Sequence, residues 1–128
     1  MRMIALVMDY QKDFIKSKTN KVEFVSSLKE MQKKIDSGIK AQFILSEGLV
    51  YLEDDFKRFV RRNSKTTFII YTELEDHIWH PTAYLKDVRN YVGEPINAEE
   101  LVGLLSGKII FETVSVFWPG EIRLKKVK

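Results

Sequence analysis

Six consecutive apolar residues, Met3-Ile4-Ala5-Leu6-Val7-Met8, stop abruptly at Asp9. The run is too short for a core helix and lacks the polar alternation of a half-exposed strand, so it reads as a β-strand buried on both faces. Such a strand needs paired neighbours and cover above and below, which points to crossover connections. Two later segments can supply the neighbours. Residues 40–46 centre on Phe43-Ile44-Leu45, and residues 66–72 are rich in β-branched and aromatic side chains.

The intervening segments carry helical periodicity. Val22, Val25, Leu28, Met31 and Ile35 recur at spacings of three and four, which predicts one amphipathic helix. Asn20 and Glu23 have the spacing of its capping box, and Gly38 suits its left-handed stop. Residues 52–62 predict a second helix, with Leu52, Phe56, Phe59 and Val60 on one side. Acidic residues at its start and arginines at its end match the helix dipole. Residues 10–20 are mixed and polar, and they read as a loop. The pattern to this point is strand–helix–strand–helix–strand, the pattern of parallel strands joined by right-handed crossovers.

The last third changes style. After Pro81, residues Tyr84, Leu85, Val88, Tyr91 and Val92 predict a third helix closed by Gly93. Asn97 and Glu100 form a capping-box pair that opens a fourth, carrying Leu101, Leu104 and Leu105 and ending at Gly107. Residues 109–117 and 121–127 are strand-like and flank Trp118-Pro119-Gly120-Glu121, the residue pattern of a type II turn. The expected fold is therefore of the α/β to α+β class. It is a single domain over residues 1–128, with a mixed sheet of about five strands in the order β-α-β-α-β-α-α-β-β and a terminal hairpin. A two-layer α+β sandwich is the alternative.

Composition narrows the chemistry. With 45% hydrophobic residues among 128, the chain can form a core without staples. It contains no cysteine, which excludes thiol nucleophiles, disulfides and cysteine-held metal centres. No apolar run approaches the roughly 20 residues of a membrane span. The apolar start is too short for a signal peptide, so a cytoplasmic protein without membrane partners is expected. Lysine and glutamate dominate the charge, a profile that fits a heat-adapted source. The net charge of +3 permits an anionic partner without requiring one.

Several groups of residues are candidates for a site. Asp9, with Gln11 and Asp13, follows the first strand, where open α/β sheets hold their ligands. A carboxylate there suits general-base or metal chemistry. Ala5-Leu6-Val7-Met8-Asp9-Tyr10-Gln11-Lys12-Asp13-Phe14 resembles the opening strand of isochorismatase-like hydrolases, the group that includes nicotinamidases. The resemblance implies a catalytic-triad aspartate at Asp9. Trp79-His80-Pro81 is similar to the Trp-His-Pro that contributes to metal binding in nicotinamidases. The family nucleophile is a cysteine, which this chain lacks, and the family's lysine motif is not found. The preferred reading of residues 9–13 is a polar loop capping a buried strand.

Glu73, Asp76, His77 and His80 form the densest set of metal-ligand residue types, and a divalent metal is the one cofactor they would suit. Lys57, Arg58, Arg61, Arg62 and Lys65 make a basic face on the second predicted helix, able to meet nucleic-acid phosphates, with Lys125, Lys126 and Lys128 adding a basic tail. Ser46-Glu47-Gly48 follows the second strand as a turn. The first hairpin strand is apolar on both faces, as a central strand or a homo-oligomer contact would be. Three readings follow. The first is a small binding or interaction protein with no recognisable catalytic constellation, for which self-association is an option. The second is a metal-dependent or acid–base enzyme using Asp9 with residues 73–80. The third is a nucleic-acid binder acting through residues 57–65.

Overall fold

The computed structural model describes residues 2–46, 54–72, 96–113 and 122–127. Four parallel strands form the central sheet: β1 (Met3–Leu6), β2 (Val22–Phe24), β3 (Gln42–Ser46) and β4 (Phe68–Tyr71). Their order is β2-β1-β3-β4. In register, Met3 lies beside both Val22 and Gln42, and Phe43 lies beside Phe68. Four helices accompany them among the described residues: α1 (Asp9–Lys18), α2 (Leu28–Asp36), α3 (Asp54–Arg62) and α4 (Ala98–Ser106).

Strand order decides which face each helix covers. The chain steps from β1 to β2 in one direction, then crosses back over β1 to reach β3 and β4. Right-handed crossovers therefore place α1 on one face and α2 and α3 on the other. The core divides accordingly. Ile4, Leu6, Phe43, Leu45, Phe68 and Ile70 pack with Met31 of α2 and with Phe56, Phe59 and Val60 of α3. Met3, Ala5, Ile44, Ile69 and Tyr71 pack with Ile15 of α1 and with Leu101, Leu104 and Leu105 of α4. This is a three-layer α/β arrangement, and β1 is buried along its whole length, as its apolar run requires.

Two expectations are corrected at the start of the chain. Residues 10–20 are not a loop, because α1 occupies most of them. Only Gln11 and Ile15 of α1 are buried, so its apolar stripe is a single isoleucine and carries little periodic signal. The helix predicted from Val22 begins instead at Leu28, and Val22–Phe24 is an edge strand. Its true N-cap is Ser27, whose hydroxyl accepts from the Glu30 backbone N–H at 3.1 Å, while the Glu30 carboxylate accepts from Ser26. Asn20 and Glu23 form no cap. Glu23 sits on β2, paired with Arg2 at 2.9 Å and with Lys34. Gly38 does take positive φ after α2, at 78°.

The end of the chain follows its local signals closely. Asn97 and Glu100 form a reciprocal capping box, and Gly107 ends α4 with φ 79°. Ile96, just before the cap, forms a parallel bridge to Tyr71 and extends the sheet beyond β4. The hairpin strands β5 (Ile109–Thr113) and β6 (Ile122–Lys126) pair antiparallel, with Ile109 opposite Lys126. They form a second sheet of two strands, so a single mixed sheet of about five is replaced by a parallel sheet of four and a separate hairpin. The cause is the short turn after α4. Lys108 N–H donates to Gly103 O at 2.9 Å, which turns β5 back against α4 and tucks Ile109 into the core. The helix predicted after Pro81 and the Pro119-Gly120 turn lie outside the described residues. Among the described residues, no helix is long and apolar enough to cross a membrane.

Candidate functional site

The sheet has one topological switch point, between β1 and β3. The chain leaves β1 toward one face and leaves β3 toward the other, the divergence at which open α/β sheets hold their ligands at the carboxyl edge. Two buried polar side chains meet there. Gln11, in the first turn of α1, is 1% exposed, and Ser46, the last residue of β3, is fully buried. Gln11 Oε1 accepts from the Met8 backbone N–H at 3.2 Å and from Ser46 Oγ. A backbone N–H can only donate, so this bond fixes the orientation of the carboxamide. The amide nitrogen of Gln11 finds no acceptor among the described residues.

The aspartates proposed from sequence flank this pair. Asp9 is the first residue of α1, where its charge complements the helix dipole. Asp13 lies one turn later, and both are exposed. Tyr10 and Phe14 repeat the same four-residue spacing and are also exposed, at 61% and 36%. Lys12 and Lys16 reach over the Phe24 ring, each 5.7 Å from its centroid, and so tie α1 to the edge strand.

Glu73, Asp76, His77 and His80 lie outside the described residues, as do Glu47 and Gly48. Thr72, immediately before the first group, is buried at the end of β4 on the same carboxyl edge as Asp9. Among the described residues, no three histidine, aspartate or glutamate side chains gather as metal ligands would.

The basic face is divided by the fold. Arg58 and Arg62 border a groove of about 540 Å³ between α3 and α2, opposite Lys29 and Lys33. Lys65 instead lines a second groove of about 580 Å³ at the amino edge of the sheet, with Arg2 and Lys40. Arg58 is 3.9 Å from Asp55, an exposed pair of little energetic weight. A reciprocal amide pair joins the two helices below the first groove: Asn63 Nδ2 donates to Gln32 Oε1 at 2.9 Å, and Gln32 Nε2 donates to Asn63 Oδ1 at 3.0 Å. Arg61 is exposed and Lys57 half-buried on α3, and neither lines this groove.

Sequence reasoning picked out Gln11 only as a neighbour of Asp9. It missed the pairing with Ser46, and it missed Lys29 and Lys33 as companions of Arg58 and Arg62. No local pattern could join residues about 30 positions apart. Comparison with known protein families, with curated proteins and with solved structures finds no match in any of the three. The resemblance of residues 5–14 to isochorismatase-like hydrolases therefore rests on those residues alone.

Proposed function

We propose that this chain is a binding protein for a small polar molecule, held in a crevice between the carboxyl ends of β1 and β3. The observation that carries the reading is the Gln11–Ser46 pair at the switch point. The Gln11 carbonyl is occupied from within the chain, which leaves the nitrogen to recognise an oxygen acceptor. The first turn of α1 adds partial positive charge toward the same acceptor. Asp9, exposed at the mouth, suits a donor on the ligand. The matching chemistry is a small molecule with an oxygen acceptor at one end and hydroxyl or amino groups at the other.

Thermal unfolding of the whole chain with separate additions of AMP, ribose 5-phosphate and glutamate tests this. A bound probe at 100 times its dissociation constant adds about 2.7 kcal/mol of stability. Spread over 128 residues, that raises the midpoint by about 10 °C. Asp9→Asn should weaken any such shift while lowering the midpoint of the free protein by only about 1–4 °C, the loss of a favourable helix-dipole charge. A midpoint unmoved by all three probes, or a shift that Asp9→Asn leaves untouched, would count against the crevice.

A second reading has one observation in its favour. Thr72 is buried at the carboxyl edge that Asp9 shares, and Glu73, Asp76, His77 and His80, residue types of acid–base or metal-assisted chemistry, follow it in sequence. Elemental analysis of the purified protein, before and after chelation, tests it: a stoichiometric divalent metal supports this reading, and none removes its metal-dependent form.

A further inference from the structure

We infer that the groove between α2 and α3 binds the phosphate backbone of duplex nucleic acid. Lys29 and Lys33 lie one turn apart on α2, and Arg58 and Arg62 lie one turn apart on α3. A four-residue step rises about 6 Å along a helix, so each pair forms a short row of positive charge. The rows line one groove of about 540 Å³. Two carboxylates share it, Asp36, which accepts from Gln32 Nε2 at 2.8 Å, and Asp55, 3.9 Å from Arg58, so four cations against two carboxylates leave the groove net positive. The Gln32–Asn63 pair holds the helices together, so the rows are set before a ligand arrives.

The track continues past the groove. The connections that leave α2 and α3 carry Lys40 and Lys65 to the amino edge, where they line the second groove with Arg2, whose guanidinium is paired with Glu23 at 2.9 Å. Charge spread over this length suits a polymer of phosphates better than a single anion. Two features favour a duplex over other polyanions. The phenylalanines of α3, Phe56 and Phe59, are buried in the core, so they offer no stacking platform for unpaired bases. Among the described residues, the exposed large apolar side chains Tyr10, Phe14, Val102, Ile110 and Val127 belong to α1, α4 and the hairpin end, so none of these flanks the groove to enter a lipid surface.

The test is fluorescence anisotropy of a labelled duplex DNA of about 20 base pairs, titrated with the full chain at several salt concentrations. The four groove cations alone predict a slope near −3.6 in log affinity against log salt, a loss of roughly a hundredfold between 50 and 200 mM, and contacts from Lys40 and Lys65 steepen it. Replacing Lys29, Lys33, Arg58 and Arg62 together by Gln should flatten that slope and weaken binding at least tenfold at 50 mM. A charge-matched control, with Lys16, Lys18, Lys21 and Lys108 replaced by Gln, should stay within threefold of wild type. If the fourfold groove variant does not fold, by circular dichroism, the Lys29→Gln/Lys33→Gln pair alone should reduce the slope by about 1.8. The inference is overturned by absence of wild-type binding at 50 mM, or by equal loss in groove and control variants. Tighter binding to a single strand of the same length, or to phosphatidylserine vesicles, overturns it as well.

Discussion

Gly103 offers a sharp test of how the hairpin is seated. A Cβ built at this position of α4 would lie 2.4 Å from Ile109 Cδ1 and 2.8 Å from Ile109 Cγ1. Gly103→Ala therefore sets two effects against each other. Alanine inside a helix is favoured over glycine by about 1 kcal/mol. Overpacking a filled contact costs typically about 1–3 kcal/mol. The contact is with a side chain that also anchors β5 in the core, so it cannot swing away freely. The expected net effect is destabilisation of about 0–2 kcal/mol. At about 4 °C per kcal/mol for 128 residues, the midpoint falls by up to about 8 °C. The decisive measurement is a double-mutant cycle by chemical denaturation. Ile109→Ala removes both close atoms and leaves only Cβ, at 3.5 Å. In that background Gly103→Ala should stabilise by about 1 kcal/mol, because only the helix propensity remains. The predicted coupling is about 1–3 kcal/mol. Equal effects of Gly103→Ala in the two backgrounds would refute the reasoning, since hairpin and helix would then not share this contact.

Other outcomes follow from the same structure. Hydrogen bonds and charge from Lys34 and then Arg2 hold the Glu23 carboxyl below its ordinary value of 4.5, and hydrogen bonds from Ser26 do the same for Glu30. Both contributions should be fully present above that ordinary range and lost as pH falls through the lowered folded values; denaturant midpoints measured from pH 6 to pH 3 should decline less steeply in Glu23→Gln. Asn63→Ala removes the amide pair with Gln32 and a 2.8 Å bond to Phe59 O, and should cost about 1–3 kcal/mol by urea denaturation. Asn97→Ala removes the cap on the Glu100 N–H and should cost about 1 kcal/mol, while Asn97→Asp should retain most of the stability; an equal loss in both variants would argue against capping.

Much of the fold was legible because it is encoded locally. The run from Met3 to Met8 dictated a strand covered on both faces, and β1 is such a strand. Asn97, Glu100 and Gly107 marked both ends of α4 because capping uses residues three apart and a left-handed stop needs glycine. Where local signals competed, they misled. Val22, Val25 and Leu28 have helical spacing, yet Val22 completes the sheet beside Met3 and Ser27 starts the helix. The Ser27-x-x-Glu30 signature was present in the sequence, three residues beyond a longer periodic pattern that overshadowed it. α1 was hidden for a different reason: it rests on the sheet through Ile15 and a buried glutamine, too few apolar positions to reveal a period.

The sequence by itself determined the α/β character, the buried strand, both ends of α4, the hairpin and the absence of thiol chemistry, because each depends on neighbours a few residues apart or on composition. Only the tertiary structure decided the strand order, and with it the switch point that brings Gln11 to Ser46. It also decided that Arg58 and Arg62 face Lys29 and Lys33 while Lys65 turns to the amino edge. These juxtapositions join residues roughly 30 or more positions apart. They arise from right-handed crossovers packing helices on opposite faces of a twisted sheet, a constraint carried by no single segment of the chain.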